Sequence, residues 1–353
     1  MNILLIIKRF DFGGAENHVC DLANELTERG HRVILLGGKG RQVKKLSEDV
    51  KFIPLKLRDS LLPLHILFVA YQILRHRINI IHAHQRLAIL VAILAGLITR
   101  RKTVVTVHGR ARYDLRSSLS RKLSRKVIIV SQKVLEYANK RYNFGDKAVL
   151  IPNGIHIQTS TCKETPFRIY HISRIDKAHY SFLELLITEV FPEILKAHPK
   201  AELHVVGDGK RKEDLIRISQ NIKKAYGDNC CQILGYKSQV SKIYQDAALI
   251  IGVGRVALEA AAHGIPVLSA NSRRMGGLLT TEKYDRIKRT NFIYVDSARP
   301  SKDELIRSIS SYFSQTNKYK KEAQIIAQKV KIDFSIDRIV TRIESIYKSL
   351  QSG

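Results

Sequence analysis

The chain is predicted to be α/β, built as two Rossmann-like domains, and three observations carry that reading. Its 353 residues exceed what one hydrophobic core usually organises, short β-branched runs alternate with helical stretches, and the alternation stops and restarts near the middle. The first series of strands is read at Ile3 to Ile7 (ILLII), from Arg32 (RVILLG), Lys51 (KFIPL), Ile80 (IIHAH), Thr103 (TVVTVHG) and Lys126 (KVIIVS). Unbroken apolar runs of this length mark parallel strands covered by helices on both faces. VLIPNGI, Val149 to Ile155, closes the series with a Pro-Asn-Gly turn, and polar His156 to Glu164 reads as a linker.

The pattern restarts with FRIYHIS from Phe167, ELHVVGDG from Glu202, CQILG from Cys231, ALIIGVG from Ala248 and GIPVLSA from Gly264. The expected domains are residues 1–155 and 165–325, facing each other across a cleft. Neither glycine nor proline interrupts Lys318 to Gln351, so one or two terminal helices are expected there.

Lys and Arg number 60 against 32 Asp and Glu, a formal charge of +28, which points to an anionic partner. The basic residues are densest from Arg100 to Lys126, where they are opposed only by Asp114. Aromatics are sparse, Trp is absent and no recognition motif appears, which argues against nucleic acid and leaves an anionic membrane surface. The apolar runs Leu61 to Leu74 and Leu87 to Thr99 fall short of the roughly 18 to 20 residues that span a bilayer. They read as buried helices, with an exposed face that dips into a membrane surface as the other reading. The N-terminus reads as a buried strand rather than a signal segment. Cys20, Cys162, Cys230 and Cys231 show no metal-ligand spacing and read as reduced thiols of a cytoplasmic protein.

Ligands of doubly wound sheets bind beyond the carboxyl ends of the strands, so polar residues just after strands are the candidates. In GVGRVALEAAAHGIPVLSA, Gly252 to Ala270, a glycine-rich turn leads into a helix carrying one acid, Glu259. The unpaired N–H groups of a helix start bind a diphosphate, and a carboxylate one turn in accepts from ribose hydroxyls; a tight strand-to-helix turn is the plainer alternative. Gly13 and Gly14 open a helix after the first strand, without the dinucleotide spacing, and fit either a ligand contact or a tight turn. His108 follows the TVVTV strand, where an imidazole either donates to a sugar or phosphate oxygen or is an ordinary surface histidine. Arg174 and Lys177 follow the first strand of the second series and suit a departing diphosphate, or are plain surface charge. No Asp-x-Asp pair occurs, so metal-independent chemistry is expected and no metal ligand is proposed.

Taken in order, GGAE, His108-Gly109, SRID, VVGDG and LEAAAHGIPV resemble the retaining glycosyltransferases of family 4, with the GT-B fold, over nearly the whole chain. The resemblance implies a nucleotide diphosphate sugar as donor substrate, held mainly by the second domain, and no separate cofactor. It implies a glycan or lipid-linked acceptor, of polysaccharide or lipopolysaccharide type, held by the first domain. It also implies hexosyl transfer with retention, and a last helix, within 326–353, that packs back on the first domain. By position, Gly13 and Gly14 lie against the donor phosphates and His108 faces the transferred sugar. Arg174 binds the diphosphate, Gly254, Arg255 and Val256 offer backbone N–H groups, and Glu259 holds the ribose. The implied catalytic set is His108, Arg174 and Glu259.

Two positions depart from the family pattern. Ile251 stands where the family usually has a second glutamate, and His179 where it has a phosphate-binding lysine, which leaves Lys177 as the substitute. Arg255 replaces a commonly apolar residue and is expected to recruit an acidic donor or a phosphate. The functional expectation is a peripheral enzyme on the inner face of a membrane. The alternative is a non-catalytic nucleotide-sugar or anionic-surface binding protein on the same scaffold.

Overall fold

The computed structural model describes residues 1–11, 13–109, 122–140, 144–157, 167–237, 240–294 and 297–352. The chain divides into two compact units: Met1–His156 with Phe334–Gly353, and Ile157–Asp333.

The first unit runs β1 (Asn2–Ile7), α1 (Gly14–Glu28), β2 (Arg32–Gly37), β3 (Lys51–Pro54), α2 (Leu62–Arg75), β4 (Ile80–His84), α3 (Arg86–Ile98), β5 (Lys102–Val107), β6 (Lys126–Ile129), α4 (Gln132–Asn139) and β7 (Ala148–Leu150). Its seven strands lie in the order β3-β2-β1-β4-β5-β6-β7, all parallel. Ile3 to Ile7 are wholly buried because helices cover both sheet faces, which is why β1 reads as an unbroken apolar run.

The second unit runs β8 (Arg168–Ile172), α5 (Lys177–Leu185), a π turn at Leu186–Val190, α6 (Phe191–Ala197), β9 (Glu202–Val206), α7 (Lys212–Tyr226), β10 (Cys231–Gly235), α8 (Val240–Asp246), β11 (Leu249–Ile251), α9 (Arg255–Ala262), β12 (Val267–Asn271), β13 (Arg274–Leu278), α10 (Tyr284–Arg289), α11 (Lys302–Ser314) and α12 (Thr316–Phe334). The sheet order is β10-β9-β8-β11-β12-β13, with only β13 antiparallel. Strand β13 is absent from the sequence reading because RMGGL holds two glycines and no β-branched residue. Its signal is the preceding turn, where Asn271 Oδ1 accepts from the N–H groups of Arg273 and Arg274, each at 2.9 Å.

The expected terminal boundary moves from 326 to Phe334. Ala323, Ile326, Ala327 and Val330 are buried along α12, which stays with the second unit, and the last helix, α13 (Ile336–Ser352), belongs to the first. The break between them is a backbone event. Ile155 N–H donates to Phe334 O and Ile336 N–H to Ile155 O, each at 2.9 Å, and Ser335 leads into the next helix, its carbonyl accepting from Ile339 N–H at 3.0 Å. Helix α13 buries Ile336, Ile339, Val340, Ile343 and Tyr347 in one core with α1 and β1. Arg29 fastens it further, donating to Glu25, Asp337 and Glu344 at 2.6–2.9 Å, while His31 meets Glu344 at 2.7 Å.

The two apolar runs behave differently. Of the run Leu87 to Thr99 expected to be buried, α3 buries Leu87 to Ile93 but exposes Leu97 and Ile98 at its end, whereas α2 buries only its inner face and leaves Leu64, Leu67, Tyr71 and Leu74 to solvent. Among the described residues no helix is long and apolar enough to cross a membrane. Of the expected basic region, residues 110–121 lie outside the described residues, as does Cys162. Within the remainder, Arg100, Arg101, Lys122 and Arg125 are exposed, while Lys102 and Lys126 donate to the carbonyls of Leu350 and Asp146. Cys20, Cys230 and Cys231 are buried and in no disulfide.

Candidate functional site

In each sheet the strand order reverses direction between the first and fourth strands of its series, β1 and β4 in one unit, β8 and β11 in the other. The loops leaving these strands diverge there and open a crevice at the carboxyl edge.

In the second unit the crevice gathers Arg174 and Lys177 from the loop after β8 with the turn after β11, because Ile251 and His171 are register partners at the ends of those strands. Asp176 caps α5, accepting from the N–H groups of Ala178 (3.0 Å) and His179 (3.2 Å) and from the His179 ring (2.6 Å). Burial works to raise the Asp176 pKa, but these bonds and the His179 and Arg174 charges outweigh it and the carboxyl sits below its ordinary range. His179, at the family's lysine position, is thus a capping partner. Arg174 touches Asp176 only at 3.8 Å and keeps 68% of its side chain exposed, and Lys177 is also exposed. Both cations are available to an anion.

The VVGDG motif holds this loop in place. A Cβ on Gly207 would run into Ser173 O and one on Gly209 into Ile175 O, so only glycine permits the approach. Ser173 N–H then donates to Val206 O (3.0 Å) and Ile175 N–H to Asp208 O (2.9 Å).

Helix α9 starts after Gly254, at φ 63°, with no side-chain cap. Its first-turn N–H groups, Arg255 and Val256 among them, belong to the orphan donors of a helix start, while Gly254 N–H is engaged by Phe292 O at 2.7 Å. Glu259 accepts from Tyr244 OH at 3.0 Å and from Arg255 Nε at 2.6 Å, one bond to each oxygen. Arg255 therefore serves Glu259, an ion pair the sequence reading did not anticipate, and burial beside this carboxylate drives the Tyr244 pKa well up. A carboxylate has about four lone-pair sites, so two stay open to ligand hydroxyls. Ile251 is fully buried in the β11 core.

In the first unit, Gly13 and Gly14 open α1, again without a side-chain cap, and Glu16 folds its carboxylate back over Gly13. Gln85, after β4, ties the two loops by donating to Glu16 Oε1 (2.8 Å) and accepting from Arg9 N–H (3.0 Å). His108 sits after β5 in a cluster of imidazoles: its Nε2 meets His84 Nδ1 at 3.0 Å, and the His18 ring stands 5.4 Å away centroid to centroid. Behind them His82 bonds Tyr347 OH (2.6 Å) and Thr106 Oγ1 (2.7 Å). Desolvation lowers His82 to about 3 and His108 to about 4, the latter against a hydrogen bond with Asn153, and burial with the neighbouring imidazoles holds His84 well below its usual value. All three are neutral near pH 7. Glu16, Gln85, His84 and Tyr244 escaped the sequence reading. Only the GGAE and HAH spellings hinted at them, and neither says which partner each side chain finds.

Two doubly wound α/β units, each with its candidate residues at the strand-order reversal, define the GT-B class of glycosyltransferases. A family model described as Glycosyltransferase Family 4 matches residues 12–159, and one described as Glycosyl transferases group 1 matches residues 166–295. The chain belongs to glycosyltransferase family 4. It is 27% identical to the phosphatidylinositol N-acetylglucosaminyltransferase gpi3 subunit of Schizosaccharomyces pombe, over 96% of this chain and 78% of that protein. It is 24% identical to a phosphatidyl-myo-inositol mannosyltransferase of Propionibacterium freudenreichii, over 77% of each. In fold it is similar to the crystal structure of Anabaena HepE in complex with UDP and glucose, with a TM-score of 0.75 at 18% identity, over 99% of this chain and 100% of that one.

Proposed function

We propose that this glycosyltransferase moves a hexosyl group from a nucleotide diphosphate sugar to a lipid-linked acceptor, with retention and without a metal ion, at the cytoplasmic face of a membrane. One observation carries the reading: the exposed Arg174 and Lys177 follow β8, and the uncapped start of α9, with Glu259 one turn in, follows β11, its neighbour in the sheet. That is a binding surface for a diphosphate with a ribose beside it. Phosphatidylinositol in the names of both relatives favours a lipid acceptor over a free glycan, and family membership supports retention.

In the proposed reaction the bond between the anomeric carbon and the diphosphate oxygen breaks, and the electron pair leaves with the nucleoside diphosphate. The acceptor hydroxyl oxygen bonds to the anomeric carbon, and its proton passes to the departing diphosphate oxygen. Arg174, Lys177 and the N–H groups of Arg255 and Val256 stabilise that charge. Glu259, held by Tyr244 and Arg255, orients the ribose. Within the first unit, Gly14, unlike Gly13 beneath the Glu16 carboxylate, leaves the start of α1 open to a phosphate, and neutral His108 is the group for a sugar or acceptor hydroxyl. Ile251 favours a second reading, a donor-binding protein without turnover, since it puts a methyl group where the family has a carboxylate.

A panel of nucleotide diphosphate sugars, with and without EDTA, tests the reading on wild type, Arg174→Ala and Glu259→Ala. One donor bound, lost in both variants, with EDTA-resistant release of nucleoside diphosphate, is the expected result. Binding with no release above background would select the second reading, and no binding across the panel would overturn both.

A further inference from the structure

The outer face of α2 has no covering element among the described residues. Leu64, Leu67, Tyr71 and Leu74 fall at helical spacing on one stripe, and Leu97 and Ile98 extend the apolar surface from the end of the packed neighbour α3; each is 54–62% exposed. The opposite face of α2 buries Val69, Ala70 and Ile73 in the core. That inner face also buries His65 and Gln72, so the longest unbroken apolar stripe of α2 is the one left to solvent, where an apolar partner or lipid would cover it. With 14 residues α2 is roughly 21 Å long, against a hydrocarbon core of about 30 Å, so it is too short to cross and lies in the interface plane.

The rim identifies the occupant. Helices α2 and α3 each precede a parallel strand, so both end at the same edge of the sheet, where Arg75, Arg77, Arg100 and Arg101 are all exposed. Across residues 56–79 and 94–102, Asp59 is the single acid against seven Lys and Arg. A second copy of the same face would press like-charged rims together, whereas an anionic bilayer offers lipid tails to the stripe and negative headgroups to the rim.

We infer that α2, with the end of α3, is the surface that seats this protein on an anionic membrane. The expected Arg100 to Lys126 region contributes its first residues to the rim. This inference rests on the membrane setting proposed above and names the element that enters the lipid.

Co-sedimentation with vesicles of phosphatidylcholine, alone or mixed with phosphatidylglycerol, tests it. Wild type binds the mixed vesicles and releases as salt rises. Leu67→Ser with Leu74→Ser loses partitioning by about tenfold or more at every salt concentration. Leu97→Ser with Ile98→Ser, on the other helix, lowers it independently, and Arg75→Gln with Arg77→Gln loses about fivefold per charge at low salt only. All three melt like wild type, because these side chains point to solvent. Unchanged partitioning of folded Leu67→Ser with Leu74→Ser overturns the inference, as does a dimer in sedimentation equilibrium that this variant dissociates. Donor hydrolysis in solution reads the activity separately. Hydrolysis without vesicle binding sinks this inference alone, whereas stripe-dependent vesicle binding without hydrolysis supports it and sinks the proposed activity.

Discussion

At the strand-order reversal of the first unit the chain collects neutral imidazoles, His18, His84 and His108 with His82 behind them, while the same point of the second unit presents exposed Arg174 and Lys177 and an uncapped helix start. The scaffold is one strand order used twice, so topology decides where a site lies and the loop residues decide its charge. Buried, mutually repelling imidazoles stay uncharged and suit hydroxyl-bearing partners. Cations and orphan N–H groups suit a phosphate. This contrast fits the proposed division between acceptor and donor, and it can be attacked experimentally from either end.

Acid should strike the two units unequally. The folded-state values of His82 (about 3) and His108 (about 4) lie below the ordinary 6.5, and His84 lies well below it too. The unfolded chain therefore binds more protons, and stability falls as pH drops from near 6.5 towards 4, by up to about 1.4 kcal/mol per pH unit for each histidine. In the second unit His171 is comparably low, at about 4, with His204 and His263 less buried. Hydrogen exchange followed from pH 7 to 4 should show the core of β4 and β5 opening before that of β8 and β9. Simultaneous opening would remove the asymmetry.

The next largest effects separate binding from turnover. Removing the Arg174 guanidinium forfeits charge-assisted bonds to the diphosphate, so Arg174→Ala should weaken nucleoside diphosphate binding by ten- to roughly a hundredfold in calorimetry. His108→Ala should leave that affinity within about twofold yet slow sugar transfer by roughly a hundredfold. Equal losses of binding in both variants would show that the two ends are not specialised.

Much of this contrast was legible in the sequence, for physical reasons. Strands buried on both faces must be apolar without interruption, which places β1, β4 and β5, and ligand-side glycines and charges must follow strands, which marks Gly13, His108, Arg174 and Glu259. The Arg255–Glu259 pair has the i,i+4 spacing of a helical ion pair, and that spacing was the overlooked signal. Partners distant in sequence hide the rest: nothing in HAH tells which histidine meets His108 and which meets Tyr347. Strand β13 was invisible because an edge strand of glycines lacks the composition of a buried one. The outward stripe of α2 was hidden because leucines inside and leucines outside read alike until the sheet shows which face is covered.

Arg255 offers a finer test of the donor end. As a partner of Glu259 it acts on the ligand only through the acid, so Arg255→Ala should weaken donor binding only about three- to tenfold, the scale of one ordinary hydrogen bond. A loss matching that of Arg174→Ala would assign Arg255 a direct phosphate contact.

The smallest expected change tests whether α13 takes part in the imidazole cluster. Tyr347 is buried, and its hydroxyl meets His82 at 2.6 Å, while the other His82 nitrogen is held by Thr106. A neutral imidazole donates from one nitrogen and accepts at the other, and the two hydroxyls satisfy both nitrogens in either tautomer. Tyr347→Phe keeps the ring in the core with Ile343 and leaves one His82 nitrogen without a partner, at a cost of about 1 to 3 kcal/mol in urea melts. If the cluster acts as one network, turnover falls slightly as well, because His82 packs against His84, with the rings tilted by 35° and 4.3 Å between centroids, and His84 carries the bond to His108. A stability loss with unchanged turnover would confine α13 to holding the fold and leave His108 dependent on His84 alone.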